Sequence, residues 1–285
     1  MSEIKLVASD LDGTLLNTAG AVSAENLSAI HELAVRGVLF VPASGRAYNE
    51  LMSELSENPD IRYYILSSGA DIYDKNTDTL SSISISRKSL VKILDTVSKY
   101  ASFTVAHCGK SCIADMQSLE ETTLISGYIK ELFRECSDDV GNIMEELYLH
   151  DDISLLSIAF ESNAVIDEVL DELSVLDDIA VSKNTLGRGT YNIELSAKGA
   201  DKGSAAVRLA KMLEIPEENV AVVGDSGNDY PMISKFKNSF AVANAREIIK
   251  NSANYVLCSN DEHSIKYFLN HVVIKDEREK LVNER

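Results

Sequence analysis

The chain has 285 residues, long for one domain and comfortable for two. Its 45% hydrophobic and 25% charged residues are ordinary for a globular protein, and no apolar run approaches the roughly 20 residues of a membrane-spanning helix. A net charge of −18 argues against nucleic acid as a partner, because proteins that bind it present basic surfaces.

Ile4 to Ser9 predicts a buried strand, with no basic-then-apolar leader before it, so a cytoplasmic location is expected. Ser23 to Arg36 predicts an amphipathic helix. Ser23 suits an N-cap, Leu27, Ile30, Leu33 and Ala34 repeat at helical spacing, and Gly37 ends it. Val38 to Val41 is a second apolar strand. Pro42-Ala43-Ser44-Gly45-Arg46 follows, then a helix ending near Asn58-Pro59, then a third strand, Tyr63 to Leu66. This strand–helix–strand rhythm predicts right-handed crossovers and an α/β, doubly wound, mainly parallel Rossmann-like sheet.

After Gly69 the rhythm changes. Asp71 to Tyr73 and Leu80 to Ile85 read as short strands, Leu90 to Tyr100 as a helix and Ser102 to Ala106 as a strand. Thr122 to Glu135 and Ala164 to Leu176 read as helices, Ser154 to Phe160 and Ile179 to Val181 as strands. The pattern is α+β with antiparallel strands. It predicts an inserted domain over residues 82–186, with a core formed by 1–81 and 187–285. His107, Cys108 and Cys112 carry metal-ligating atoms but read as part of a strand pair. The cysteines form no Cys-x-x-Cys and are expected as free thiols.

From Tyr191 the first pattern returns. Asn192 to Leu195, Val220 to Val223, Ser239 to Val242 and Tyr255 to Cys258 read as core strands. Lys202 to Leu213, Asn228 to Ser234 and Asp261 to Asn270 read as helices, and Lys275 to Arg285 as a charged tail.

Two acidic loops follow predicted strand ends, where an open parallel sheet places its site. The first is Asp10-Leu11-Asp12-Gly13-Thr14-Leu15. Carboxylates two residues apart in extended backbone point the same way, so both could flank one substrate. One suits a nucleophile attacking phosphorus; the other suits an acid that protonates the leaving oxygen and then deprotonates water. An Asx turn, or half of a calcium loop, would use the same residues. The second is Gly224-Asp225-Ser226-Gly227-Asn228-Asp229. A few hard oxygen ligands suit magnesium, which keeps waters and is completed by phosphate. Asp225 stands nearest the strand end, whereas Asp229 could equally cap the helix it opens. A phosphoryl group also needs hydrogen-bond donors and positive charge. Ser44 offers a hydroxyl, and Lys202 at a helix start offers an ammonium, with Lys198 as its competitor. The overall negative charge does not forbid an anionic substrate, since surface charge is screened over about 8 Å at physiological salt. No Walker-type loop, nucleophile elbow or zinc spacing occurs, and tryptophan is absent.

The order Asp-x-Asp-Gly-Thr-Leu, Ser after the next strand, Lys202-Gly203, then Gly-Asp-x-x-Asn-Asp resembles the haloacid dehalogenase superfamily of phosphatases. The large insertion between the second and third motifs resembles its Cof-type, or IIB, group. The resemblance implies Asp10 as nucleophile, Asp12 as general acid/base and Lys202 as the cation that stabilises the phosphoryl charge and orients Asp10. It implies a phosphate site at Ser44, Gly45, Arg46 and Asn228. It implies Mg2+ held by Asp10, Asp225 and the backbone carbonyl of Asp12, with Asp229 supporting the metal shell. Two segments depart from the family pattern. Ser68-Gly69-Ala70 stands where relatives commonly read Asn-Gly-Ala, and Glu262-His263-Ser264 where they often read Asp-Gly-Val.

The expectation is a Mg-dependent phosphatase for small phosphate monoesters, most of all sugar phosphates. The inserted domain would act as a lid, with candidate specificity residues in loops such as Lys183 to Arg188. A phosphomutase and a non-catalytic phospho-ligand binding protein are the alternatives. No membrane partner is expected, and a monomer or weak homo-oligomer is the default.

Overall fold

The structure is a computed structural model that describes residues 3–185 and 191–274. The tail read over 275–285, and residues 186–188 of the candidate specificity loop, lie outside the described residues. The chain divides into two compact units: residues 1–45, 52–79 and 201–285 form one, and residues 46–51 and 80–200 the other.

The first unit begins with β1 (Leu6–Ser9), α1 (Ala24–Val35) and β2 (Leu39–Pro42). Ser23 caps α1 by accepting the Asn26 N–H, and Ala29, Ile30 and Leu33 turn its apolar face inward. After a single turn, α2 (Ser53–Ser56), come β3 (Tyr63–Leu66) and β4 (Asp71–Asp74), an antiparallel pair. The helix expected to end near Asn58-Pro59 is only a 3-10 turn, Tyr48–Glu50, and this single α-helical turn. With β5 (Thr79–Ser82) the chain passes into the second unit.

The second unit is built on a six-stranded sheet. Its elements in chain order are α3 (Arg87–Val97), β6 (Ser102–Cys108), β7 (Ser111–Ala114), α4 (Met116–Glu121), α5 (Gly127–Cys136), β8 (Ser137–Asp139), α6 (Ile143–Leu147), β9 (Ile153–Phe160), α7 (Asn163–Leu173), β10 (Ile179–Thr185) and β11 (Tyr191–Ala197). The strand order is β10-β11-β9-β6-β7-β8, antiparallel except for β7 with β8. Two apolar clusters form its core. One gathers Leu90, Ile93, Leu94, Leu156, Ile158 and Val169; the other gathers Phe103, Val105, Leu119, Ile129 and Phe133. The helix expected over Thr122 to Glu135 starts later, at Gly127 after the Ser126 cap, and a separate helix, α4, capped by Asp115, precedes it. The strand 192–195, assigned to the parallel sheet from sequence, is instead the middle of β11. It pairs antiparallel with both β9 and β10, so this unit extends to Ala200 rather than 186. Its alternation of Ile193 and Leu195 with polar neighbours suits a sheet with two unlike faces, which single-strand patterning does not assign to either sheet.

The chain then returns to the first unit with α8 (Lys202–Met212), β12 (Val220–Gly224), α9 (Tyr230–Lys235), β13 (Asn238–Ala241), α10 (Glu247–Ser252), β14 (Tyr255–Val256) and α11 (Ser264–Phe268). The sheet order is β14-β13-β12-β1-β2, every pair parallel, with Ala43 bridging on to Ile65. β1 and β12 are buried throughout, as central parallel strands are. The connections from β1 and from β12 run to opposite sides, so the switch point of this α/β sheet falls between them. Among the described residues no helix is long and apolar enough to cross a membrane.

Candidate active site

Asp10 and Asp225 stand just beyond the ends of β1 and β12, at that switch point. The Asp10 N–H donates to the Val223 carbonyl at 3.0 Å, which continues the β1–β12 ladder up to the acidic residue. Beyond it the chain turns. Leu16 N–H donates to Leu11 O, Leu11 is buried and Asp12 faces solvent. Gly13 sits at φ +82°, and a Cβ there would lie 2.7 Å from Asp225 Oδ2. Only glycine lets the two acidic loops approach this closely.

Lys202 is completely buried at the first position of α8. The start of that helix is fixed by Asp201, whose side chain accepts the Ser204 N–H at 2.8 Å. The Lys202 ammonium donates to Asp10 Oδ1 at 2.5 Å and to Asp229 Oδ1 at 2.7 Å. The second oxygen of Asp229 accepts the N–H groups of Asp225 and Ser226, each at 3.0 Å. Asp229 therefore closes the loop after β12 and holds Lys202, and it does not cap α9 with its side chain. Asp10 Oδ2 is buried with no hydrogen-bond partner.

Oxygens of Asp10, Asp225 and Asp229 lie within 4.8 Å of one another. Three carboxylates thus face one ammonium. Burial, and then the charge of Asp229, push the Asp10 carboxyl well above its usual range; the same two causes raise Asp225. Burial pulls Lys202 toward neutrality, but Asp10 and Asp229 outweigh it and hold it above its ordinary value. The cluster is short of positive charge. A hard dication fits that deficit, and Asp10 and Asp225 are the carboxylates placed to hold it, because both oxygens of Asp229 already take donors.

Ser44 is buried just past β2, its N–H donating to Ile65 O and its carbonyl accepting the Ser68 N–H. Asn228 is exposed, its Oδ1 accepting the Ser226 hydroxyl at 2.7 Å. Ser44, Gly45 and Asn228 belong to the first unit with the acidic cluster, whereas Arg46 falls in the second. Lys198 is also in the second unit, exposed, with its ammonium on the Asp177 carbonyl.

Three residues that the sequence reading did not single out support the acidic turn. Thr14 Oγ1 donates to Asp225 Oδ1 at 3.4 Å, and Asn244 Nδ2 donates to Gly13 O at 2.7 Å. Ser264 Oγ donates to Thr14 O at 2.8 Å. Thr14 lies inside the first motif, and Ser264 in one of the segments that depart from the family pattern, but neither position pointed to this contact. Both departures from the family pattern fall on left-handed backbone, Ser68 at φ 56° and His263 at φ 62°. Asparagine and glycine occupy that region more readily than serine and histidine do.

The family model for haloacid dehalogenase-like hydrolases matches residues 7–269. Phosphatase YwpJ of Bacillus subtilis is 29% identical over 286 residues, covering 95% of this chain and all of the relative. The B. subtilis 5-amino-6-(5-phospho-D-ribitylamino)uracil phosphatase YcsE is 28% identical over 275 residues, covering 95% of this chain and 97% of the relative. The solved structure of a haloacid dehalogenase-like hydrolase from B. subtilis superposes with a TM-score of 0.76 at 28% identity, covering 94% of this chain and all of that one.

Proposed function

The chain belongs to the haloacid dehalogenase-like hydrolases and is a phosphatase, and from that premise we propose that it hydrolyses small sugar or sugar-alcohol phosphate monoesters through an aspartyl-phosphate on Asp10, with Mg2+ as cofactor. The observation that carries the reading is the buried cluster in which Asp10 takes the Lys202 ammonium on one oxygen and no donor on the other. The substrate class draws on the phosphoribityl substrate in the name of YcsE.

In this reading the Asp10 carboxylate attacks phosphorus while Asp12 gives its proton to the leaving alkoxide. Asp12 then takes a proton from water, which attacks the aspartyl-phosphate, restores Asp10 and releases orthophosphate. Lys202 stabilises the charge on the transferring group and keeps Asp10 oriented between steps. Ser44, Gly45 and Asn228 place donors around the phosphoryl oxygens. Mg2+, held by Asp10 and Asp225, would supply the missing positive charge that keeps Asp10 ionised and neutralises the phosphoryl oxygens. Asp229 fixes Lys202 and the loop that bears Asp225.

The test is release of orthophosphate from an aryl phosphate and a panel of sugar and sugar-alcohol phosphates, with and without Mg2+. Asp10→Asn serves as the control. Hydrolysis that needs the metal and vanishes in the variant is expected. Conversion of a sugar phosphate to its isomer without orthophosphate would replace hydrolysis by a mutase reaction.

A further inference from the structure

Outside the acidic site, two mixed groups of ligating side chains gather among the described residues, both within the inserted unit. They are Glu50, His107 and Cys112, and Cys108, His150 and Asp152. The first is buried and closed on itself as an ion pair of His107 with Glu50. The second is partly open to solvent and has a different internal logic.

Cys108 ends β6 where its register against β9 shifts: His107 pairs with Leu155 but Cys108 with Ile153. Such irregularities re-aim a side chain. His150 and Asp152 lie just before β9, on a loop pinned by Arg87, whose guanidinium donates to the carbonyls of Tyr148 and His150. As a result three atoms converge. Cys108 Sγ is 3.0 Å from His150 Nδ1 and 3.1 Å from Asp152 Oδ1, and those two are 3.2 Å apart.

The second ring nitrogen of His150 completes the argument. Nε2 lies 2.9 Å from Glu146 Oε1, one turn back on α6. A neutral imidazole that donates Nε2–H to this carboxylate turns its Nδ1 lone pair toward the sulfur and the second carboxylate. That is the outer arrangement that orients and strengthens metal-ligating histidines. Three lone-pair donors then face one another with only the thiol proton between them. Glu146 and Asp152 both lie within ion-pair distance of His150, and Asp151 of Arg87, so carboxylates outnumber cations among these residues and the local field favours a cation.

We propose that Cys108, His150 and Asp152 bind one transition-metal dication of the zinc class on the inserted unit, with Glu146 orienting His150 and one coordination position left to solvent. The donor set of one sulfur, one imidazole nitrogen and one carboxylate oxygen suits zinc, and three protein ligands leave the fourth tetrahedral position open. Zinc bonds of about 2.0–2.3 Å place tetrahedral ligands roughly 3.3–3.8 Å apart, so the three atoms need to spread by only a few tenths of an ångström. Binding replaces the thiol proton by the metal and releases that proton to solvent. Magnesium, which demands oxygen ligands, is not retained here.

Cobalt(II) titration of the full-length protein tests this, because a thiolate ligand gives a charge-transfer absorption in the near ultraviolet that an all-carboxylate site does not. One equivalent of Co2+ is expected to raise that band, and Zn2+ to remove it. Cys108→Ser abolishes the band while Mg2+-dependent phosphatase activity persists, which reports the fold intact. Glu146→Gln keeps the band but weakens affinity about 10- to 100-fold. A second readout uses the unmutated chain: Zn2+, but not Mg2+, slows alkylation of Cys108 mapped by mass spectrometry. Absence of the band, its survival in Cys108→Ser, unchanged affinity in Glu146→Gln or an alkylation rate indifferent to Zn2+ would each overturn the site.

Discussion

Each unit buries a cluster of charge, and the two clusters are built on opposite principles. In the inserted unit Glu50 and His107 form a pair of one charge each, 3.2 Å apart. Glu50 also accepts the Ala47 N–H at 2.6 Å, and Asn49 accepts the Cys112 N–H at 2.8 Å. The pair closes on itself and staples residues 47–50 to the β6–β7 hairpin. In the first unit Lys202 faces Asp10 and Asp229, with Asp225 beside them and one Asp10 oxygen without a donor. That cluster sets three carboxylates against one ammonium. Backbone strain divides the same way. The five non-glycine residues with positive φ among those described, Ser67, Ser68, Asp78, Glu214 and His263, all lie in the first unit. A balanced buried pair and relaxed backbone are the usual mark of structure, and an unbalanced cluster in a unit with strained loops the usual mark of a functional site.

Asp10→Asn tests this most severely. Activity should fall on the order of 10⁴-fold or more, as for loss of a covalent nucleophile. Stability should behave in the opposite sense. A carboxyl raised in the folded state holds its proton more tightly there than when unfolded, so its ionised form costs folding free energy at neutral pH. Removing the charge leaves the metal-free Tm unchanged or higher, and a clear drop would show that the cluster is structural after all. Asp12→Asn should cost about 10²–10⁴-fold in kcat and trap phosphate on Asp10. Lys202→Met removes the one cation from three carboxylates. It should abolish turnover and destabilise the protein by about 3–5 kcal/mol, read by urea unfolding.

The contrast was only half visible in the sequence. The acidic loops after apolar runs, and the glycine between Asp12 and Thr14, carried the first cluster, because short-range spacing and the strand-end rule locate such residues without tertiary information. The second cluster joins Glu50 to His107 across an interval that no local pattern spans. The same limit hid the contacts of Asn244 and Ser264 with the acidic turn, made from more than 200 residues away. It also misplaced 192–195, whose apolar alternation fits either sheet until its partners β9 and β10 are known.

Glu50→Gln probes the balanced pair. Burial pulls His107 down, but Glu50 outweighs it and holds the imidazole well above 6.5. Burial pushes Glu50 up, but His107 chiefly holds it below 4.5. The histidine's contribution is complete below 6.5 and is lost as pH rises through its raised folded value. The glutamate's contribution is complete above 4.5 and is lost as pH falls through its lowered one. The pair therefore stabilises fully between those limits, with Arg46, Cys112 and Cys136 as the other titratable or charged neighbours. Glu50→Gln should cost about 1.5–3 kcal/mol inside that window, leave catalysis by the acidic cluster intact, and lose its effect at strongly alkaline pH. An equal loss at all pH values would mean that Glu50 acts by packing rather than by charge.

The smallest expected effect concerns the strain itself. His263 stands at φ 62° immediately before α11, where an L side chain costs roughly 1–2 kcal/mol. Its ring partly offsets this, Nδ1 lying 3.0 Å from Ser23 Oγ, while Glu25 at 3.6 Å adds only an exposed ion pair. His263→Gly loses the hydrogen bond and relieves the strain, so it should leave stability within about 1 kcal/mol of the unmutated chain. His263→Ala loses the same bond and keeps the strain. The glycine variant should therefore unfold above the alanine variant by about 1 kcal/mol, the reverse of the order at an ordinary position. Paired thermal melts of the two variants read this difference directly. Alanine equal to or more stable than glycine would mean that the left-handed turn carries no strain, and the departure from the family's glycine at this loop would then need another cause.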